Sequence, residues 1–328
     1  MAGEMLILTA DGDAHVEHVA RLLANRGADV IQFDPGRFPV HASLNVTFMP
    51  GGGPHRLLVA DDRVVDLDQL AAVWVRRPSQ PVPHQEVVDQ VARGYVNCEC
   101  SAFSMDVWDS LGCLTVPGSH AVMGAASRKL YQLVVARELG FESPPTLITT
   151  NPEEFLDFYC AHDGRVITKV IGQLSAYHGD GDFGRYTELV STRDVRYAAS
   201  VRLCPIIVQP YVVKALELRV TVVGKEVFAA EIHSQESNRA RLDWRRYDLR
   251  MTPHGIHRLP DEIAKRCLAL VQRLGLCYGA IDLILTPDGR YVFLEINPNG
   301  QYLWIEKATG LPISEALCDL LLGCEPTA

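Results

Sequence analysis

The chain has 328 residues, 48% of them hydrophobic and 22% charged, and its formal net charge is −9 at pH 7. At about 150 residues per domain this length predicts roughly two domains, and the composition is that of an ordinary globular protein. It excludes a disordered, collagen-like or coiled-coil chain. The acidic balance offers no positive surplus for a phosphate backbone, so we expect no nucleic-acid partner.

Targeting signals and cysteine usage point to the cytoplasm. Residues 1–13 lack the basic start and apolar centre of a secretion signal, and no stretch approaches the roughly 20 apolar residues of a membrane span. The nine cysteines are odd in number and scattered, apart from the pair Cys98 and Cys100. That pair has no matching second pair, so it does not predict a zinc site. We therefore expect reduced thiols, a cytoplasmic location and no membrane partner.

The first part of the chain has a strand, helix, strand pattern that is typical of α/β domains. Its predicted elements are strand 5–9, helix 15–26, strand 30–33, short strands within 61–70 and at 73–74, and helix 84–111. Pro117-Gly118 marks a boundary. We predict an N-terminal α/β domain over residues 1–116.

The second part is richer in strands. Its predicted elements are helix 127–139, strand 147–149, a helix from 152, strands 166–170, 206–213, 216–223 and 227–233, helix 261–274, and strands 280–286 and 291–296. Runs of this kind predict an α+β architecture with antiparallel strands. We divide it into a central part, 117–205, and a C-terminal part, 206–328.

The segment 278–300 carries the most specific signal, and it reads YGAIDLILTPDGRYVFLEINPNG. If Asp288-Gly289 forms a two-residue hairpin loop, Asp282 faces Glu295 across the strands, and Asn297 shares a face with Glu295. Opposed carboxylates between apolar neighbours would repel, and the neighbours argue against the alternative of a solvated polar face. A divalent cation resolves the conflict. Oxygen ligands favour Mg²⁺, so we predict a metal site on these three residues.

Two lysines are placed to bind phosphate. Lys169 ends the apolar strand VITKV, where its stem can cross apolar surface, and Lys129 lies at the start of a helix. Either lysine alone is more often an ordinary surface residue. Their interest comes from the predicted metal site and from the loop that follows Lys169.

That loop is rich in glycine, and Gly179, Gly181 and Gly184 formally spell G-x-G-x-x-G. The strand and helix that flank a dinucleotide-binding motif are not evident here, so that interpretation fails. A flexible phosphate-covering loop and a plain surface loop both remain open. A P-loop is excluded, because Gly224-Lys225 is followed by glutamate.

On the predicted strand 216–223, Glu217, Arg219 and Thr221 share one face. Glu217 and Arg219 are either a solvated ion pair or part of a site, in which the guanidinium can hold a phosphate or carboxylate bidentately. The following loop adds further arginines, namely Arg239, Arg241, Arg245 and Arg246. This local positive charge suits an acidic substrate or an acyl phosphate.

Together these segments resemble the ATP-grasp fold, preceded by an α/β pre-ATP-grasp domain. The resemblance rests on Lys129, Lys169, the Gly-rich loop, Q-P-Y-V at 209–212, E-L-R at 217–219, I-D-L at 281–283 and F-L-E-I-N-P-N-G-Q at 293–301. D-W-R at 243–245, G-Q-Y-L-W at 300–304 and V-W-V-R-R-P at 73–78 are similar to the peptide maturases that make graspetides, the microviridin-type peptides.

This resemblance implies an ATP-dependent ligase. Such an enzyme phosphorylates an Asp or Glu side chain of a ribosomal precursor peptide, and a Ser or Thr hydroxyl or a Lys amine then closes a ring. It implies ATP and Mg²⁺, a precursor with a leader and an acidic core, leader recognition near 143–159, and a homodimer.

The resemblance also implies residue roles. Lys129 and Lys169 would hold phosphates, and Asp282, Glu295 and Asn297 would hold the metal. Gln209, Tyr211 and Val212 would bind adenine and Glu217 the ribose, Arg219 and Arg245 would stabilise the acyl phosphate, and the Asn299 and Gly300 amides would serve as oxyanion donors.

Three alternatives remain. The nearest is a ligase of the same fold, similar to the ribosomal-protein-modifying glutamate ligases, which adds a free amino acid to a carboxylate; D-W-R and G-Q-Y-L-W favour the peptide maturase. The second is a phosphotransferase that stops at the phosphoryl step. The third is a non-enzymatic nucleotide-binding regulator, and the full set of metal, lysine and arginine candidates argues against it.

Overall fold

The computed structural model describes residues 3–172, 177–178, 181–182, 186–237, 239–246 and 252–324. The strands are β1 Met5–Thr9, β2 Val30–Phe33, β3 Ala42–Phe48, β4 Pro54–Ala60, β5 Arg63–Asp66, β6 Ala72–Arg77, β7 Leu114–Val116, β8 Leu147–Thr149, β9 Val166–Lys169, β10 Tyr177–His178, β11 Gly181–Asp182, β12 Glu188–Leu189, β13 Ile206–Pro210, β14 Leu216–Val223, β15 Glu226–Ile232, β16 His254–Ile256, β17 Tyr278–Leu285 and β18 Tyr291–Asn297. The helices are α1 Ala14–Asn25, α2 Gln90–Asp109, α3 His120–Ala126, α4 Lys129–Glu138, α5 Pro152–Ala161, α6 Thr192–Arg196, α7 Asp261–Arg273, α8 Leu303–Thr309 and α9 Ile313–Leu322. No helix in these ranges is long and apolar enough to span a bilayer.

The N-terminal part is built on a parallel sheet with the order β2-β1-β6-β7. The α/β architecture predicted from the sequence is confirmed. An antiparallel sheet, β3-β4-β5, was not predicted. Helix α2 begins at Gln90, with the Asp89 carboxylate accepting from Ala92 N, and not at residue 84 as predicted.

The central part is an antiparallel sheet with the order β12-β9-β13-β8, and α5 packs against it. Strand β13 pairs with both β8 and β9, so the boundary predicted at residue 205 falls inside the connection to a strand of this sheet. Of the predicted Gly-rich loop, Gly179 and Gly184 lie outside the described residues.

The C-terminal part is a five-stranded antiparallel sheet, β16-β15-β14-β17-β18. The antiparallel α+β architecture predicted for the second half is therefore confirmed. One face of the sheet packs on α4 and α7. The other packs on α8, α9 and the N-terminal β1 and α1 in one continuous hydrophobic core, so the first and last parts of the chain fold around each other.

The β17–β18 hairpin differs in detail from its predicted form. Thr286 and Arg290 close a loop of three residues, 287–289, with Gly289 at φ +85°, where a glycine is needed. A bulge at Leu294 then shifts the register by one residue. The predicted two-residue turn is wrong, but the bulge compensates for it, and Asp282 faces Glu295 as predicted.

Candidate active site

A cavity lies between the central and C-terminal sheets. Its walls come from β9, β13, β14, β17 and β18 and from the loop before residue 246. Most of the predicted site residues line it, namely Lys169, Gln209, Tyr211, Val212, Glu217, Arg245, Asp282 and Glu295. Lys129 and Arg219 are not lining residues but contact two of the lining carboxylates, Glu295 and Asp282. Asn297, Asn299 and Gly300 lie at one end of β18.

Glu295 is the point on which the cations converge. Lys129 Nζ donates to Glu295 Oε2, and Arg245 Nη1 lies 3.7 Å from Oε1. Burial opposes ionisation of this carboxyl, but Lys129, Lys169 and Arg245 outweigh it and lower the pKa of Glu295 to about 2. Glu295 is therefore a carboxylate at neutral pH.

Asp282 is buried beside it and is held by Arg219. Nη1 of Arg219 lies 3.0 Å from both carboxylate oxygens. Burial raises the pKa of Asp282, and Arg219 opposes the rise. Glu217 and Arg219 are each 4% exposed and have different partners, so the alternative of a solvated ion pair is wrong.

The guanidinium of Arg219 is enclosed on several sides. It lies 5.6 Å from the ring centroid of Trp244, and its Nη2 donates to Gln301 O at 3.3 Å. The backbone of Gly300 passes so close that a Cβ built there would lie 2.5 Å from Nη2 and also overlap Ala280 Cβ. Gly300 is thus needed for a close approach.

We expect Gly300→Ala to lower turnover by about 10-fold or more, since a displacement of about 1 Å is costly to a catalytic group. The added methyl must displace Arg219 from Asp282 or push the 299–301 segment outward. ATP-dependent turnover measures the effect. Gly289→Ala is the control: it adds a methyl in open space in the hairpin that precedes Gly300, with strain from its positive φ only. Unchanged turnover in Gly300→Ala would show that the close approach of Gly300 to Arg219 is not needed.

Asp243 fixes Arg245 in place. Arg245 donates from Nε and Nη2 to the two oxygens of Asp243, at 2.8 and 2.6 Å, and Thr187 N also donates to this carboxylate. These donors outweigh burial and lower the pKa of Asp243 to about 2. The i, i+2 spacing in D-W-R could have indicated this pair, but no role was predicted for Asp243 from the sequence. Arg239 and Arg241 do not line the cavity, and the Arg246 side chain lies outside the described residues.

The far end of the cavity holds a second buried pair that the sequence analysis missed. Lys214 Nζ donates to Glu217 Oε1 and to Leu242 O. Within the described part of the chain, Glu217 Oε2 and Gln209 Oε1 are buried without a hydrogen-bond partner. Such acceptors are suited to hydroxyl or amine donors of a ligand.

The backbone amides of the Asn297–Gly300 turn donate hydrogen bonds within the turn. Asn299 N donates to Asn297 Oδ1 at 3.0 Å, and Gly300 N donates to Asn297 O at 3.3 Å. The oxyanion donors predicted from the sequence therefore have other partners in this structure. The Asn299 side chain bonds to β6 and does not face the cavity.

The donor set fits a magnesium ion. Asp282 and Glu295 are opposed across the hairpin and the Asn297 amide follows, all with oxygen donors. No cluster of three His, Cys, Asp or Glu residues suited to a metal occurs among the described residues. Oxygen donors of this kind suit Mg²⁺, which takes few carboxylates and shares its shell with water and substrate phosphate.

Comparison with known proteins identifies this architecture. Residues 4–120 match the model of the MvdD pre-ATP grasp domain, and residues 152–321 match that of the RimK-like ATP-grasp domain. The fold is thus that of an ATP-grasp ligase with a pre-ATP-grasp domain, as the sequence resemblance implied.

Similarity to solved structures identifies the group of ATP-grasp ligases to which the chain belongs. A RiPP-associated ATP-grasp ligase of Chryseobacterium gregarium, in complex with ADP and a leader and core peptide, has a TM-score of 0.90 at 29% identity and covers 99% of this chain and 98% of its own. The macrocyclase MdnC of Microcystis aeruginosa, bound with precursor peptide MdnA, has a TM-score of 0.85 at 30% identity and coverages of 98% and 99%. MdnB of the same organism has a TM-score of 0.80 at 32% identity and coverages of 97% and 99%. The chain belongs to this family of ATP-grasp ligases of ribosomally synthesised, modified peptides. No curated protein matches it.

Proposed function

We propose that this protein is an ATP-dependent macrocyclase that closes ester or amide bonds between side chains of a ribosomal precursor peptide. The observation that carries the proposal is the convergence of Lys169, Arg245, Asp282 and Glu295 on one cavity, in a chain whose relatives include structures with ADP and precursor peptides.

The nucleotide occupies the cavity between the two sheets. Tyr211 and Val212, just after β13, and the unpartnered oxygen of Gln209 receive the adenine, and Glu217 Oε2 accepts from the ribose hydroxyls. Lys129 and Lys169 hold the phosphates. When bound, Mg²⁺ would neutralise the charge of the phosphate oxygens, with Asp282, Glu295 and Asn297 as its protein ligands.

The reaction has two steps, activation of a carboxylate and closure of the ring. A carboxylate oxygen of the peptide attacks the γ-phosphorus of ATP, and ADP leaves. A hydroxyl or amine of the same peptide then attacks the acyl carbon, and inorganic phosphate leaves with the proton of the nucleophile. Arg245, held by Asp243, and Arg219, held by Asp282, face the charge that develops on the acyl phosphate.

The proposal predicts a pH dependence. Burial, together with Lys129 and Arg245 and against the pull of Glu295, lowers the pKa of Lys169 to about 8. Above that pH the free enzyme loses the ammonium that binds phosphate, so kcat/KM for ATP falls about tenfold per pH unit. Lys169→Arg keeps its charge and should abolish this fall; if the fall persists in Lys169→Arg, another group causes it.

Intact-mass spectrometry tests the function. The precursor is the product of a neighbouring gene that encodes a short peptide rich in Asp or Glu and in Thr, Ser or Lys towards its C-terminus. Incubated with the protein, ATP and Mg²⁺, it should lose one water per bond closed and form one ADP per bond. An unchanged mass would contradict the macrocyclase assignment.

A second candidate is a ligase that adds a free amino acid to a carboxylate, which the RimK-like domain match favours. The same assay separates the two, because ligation of supplied amino acids raises the mass of the acceptor and ring closure lowers it.

The proposed function goes with a cytoplasmic location and a homodimeric state. All cysteines lie in the described part of the chain and are free thiols, which supports a cytoplasmic location. A homodimer stays a prediction, and light scattering of the purified protein would test it.

A further inference from the structure

The N-terminal part contains a buried polar cluster that the proposed chemistry does not use. Arg76, at 2% exposure, lies near the end of β6, and its Nε is 3.2 Å from Asp13 Oδ2. Its Nη2 lies 3.2 Å from Nδ1 of His15, a residue of α1 that is also buried. A buried charge needs a partner, which Asp13 supplies, while other atoms of Arg76 and His15 contact the C-terminal part of the chain.

The Arg76 side chain and the backbone of β6 form hydrogen bonds with Asn299. Arg76 Nη1 donates to Asn299 O at 3.1 Å and to Asn299 Oδ1 at 3.2 Å. The Asn299 amide nitrogen donates to the carbonyl oxygens of Val75 and Arg76. Residues more than 220 positions apart in the chain thus fix this turn.

His15 holds the next residues. Its Nε2 accepts from Tyr302 N at 3.2 Å and from Leu303 N at 3.1 Å, where α8 begins. Two N–H groups directed at Nε2 require it to be unprotonated, so the ring proton lies on Nδ1, 3.3 Å from Asp13 Oδ1. With this tautomer the contact between Arg76 Nη2 and Nδ1 is a packing contact and not a hydrogen bond. Burial lowers the pKa of His15, in agreement with a neutral ring.

The segment between these anchors forms part of the enclosure of Arg219. Gly300 lies against its guanidinium, and Gln301 O accepts from its Nη2. Tyr278 OH donates to Gly300 O at 2.6 Å and holds the segment from the sheet side. A shift at either anchor therefore changes the space available to Arg219.

We infer that Arg76 and His15 are positioning residues of the ligase site, which fix segment 299–303 and thereby the guanidinium of Arg219 against Asp282. The role of Arg219 in the reaction rests on the proposed function. The N-terminal part of the chain thus helps to build the catalytic centre in addition to packing against it.

The test compares His15→Leu, which has no acceptor, with His15→Gln, whose amide oxygen can accept, in the full-length enzyme with the precursor peptide, ATP and Mg²⁺. We expect His15→Leu to lower kcat by about 10- to 100-fold, the cost of misplacing a catalytic group by about 1 Å, while KM for ATP stays nearly constant. His15→Gln should recover most of the loss. Amide hydrogen exchange at Tyr302 and Leu303 should accelerate only in His15→Leu.

Val65→Ala is the matched control, because it loosens the N-terminal core far from segment 299–303. If kcat of His15→Leu equals that of Val65→Ala at the same loss of Tm, His15 is merely structural and the inference is overturned. If His15→Leu does not fold, Arg76→Lys replaces it, since lysine keeps the charge but lacks the planar group that places Nε at Asp13 and Nη1 at Asn299 simultaneously.

Two readouts need no turnover: the exchange at Tyr302 and Leu303, and the 3.0 Å Arg219–Asp282 contact in a crystal structure of the variant. Unchanged values would overturn the inference. A wild-type enzyme that leaves the peptide unchanged would overturn only the proposed function.

Discussion

Replacing Glu295 by Gln, or Asp282 by Asn, is expected to abolish turnover and leave the fold intact. Both changes keep the shape of the side chain and remove its charge. Neutral amides no longer attract the metal or balance Lys129 and Arg219. We expect a loss of about 10²- to 10³-fold or more in kcat, the range seen when one group that stabilises transition-state charge is removed.

Asp288→Asn is the matched control for these variants. It makes the same chemical change in the same hairpin, on an exposed turn away from the cavity. It should leave the formation of ADP and product unchanged. Near-normal turnover of Asp282→Asn or Glu295→Gln would contradict the metal assignment, and a lost circular-dichroism spectrum would assign the effect to folding.

Replacing Lys214 by Met is expected to have the largest effect on stability. Lys214 and Glu217 are 9% and 4% exposed, and removal of the lysine leaves a carboxylate buried without its cation. Breaking a buried pair from one side lowers the free energy of unfolding by about 3–5 kcal/mol. Lys225→Met, on an exposed turn, is the matched control, and urea denaturation measures both.

The direction in which the stability of Lys214→Met changes with pH shows whether the unpaired Glu217 carboxylate causes the loss. Burial already raises the pKa of Glu217 and Lys214 opposes the rise, so the pKa climbs further in Lys214→Met. A group whose folded-state pKa is raised contributes stability at low pH and loses it as the pH rises through that pKa. The variant should thus be least impaired in acid. The double variant Lys214→Met, Glu217→Gln should recover stability at neutral pH; no recovery would mean that lost packing, and not the unpaired charge, destabilises the chain.

Local patterns predicted much of the catalytic sheet. Strand 216–223 was predicted with its observed bounds, and the face shared by Glu217 and Arg219 followed from the period of two. The pairing of Asp282 with Glu295 was correct, although the turn and the bulge that produce it were not foreseen, because a bulge has no fixed sequence signature. Strand β3 was overlooked although its apolar residues alternate.

Contacts between distant segments could not be predicted in the same way. Arg76, Asp13 and His15 lie in the first quarter of the chain, and nothing in their local sequence places them beside Asn299. The Asn299 and Gly300 amides were expected to face an oxyanion, but the turn satisfies them within itself. Lys214 lies between two strands, as the predicted bounds 206–213 and 216–223 require, but no role was predicted for its buried stem and for the ammonium that donates to Glu217.

The hydrophobic cores do not follow the order of the three parts along the chain. The first and last parts share one core, but the central sheet encloses a small core of its own around Phe155, Val166 and Val208. Cooperative unfolding follows shared cores, so we expect the central sheet to open as a separate unit while the remainder stays folded. A ligand clasped between the two units links them thermodynamically, so nucleotide should merge two melting transitions into one.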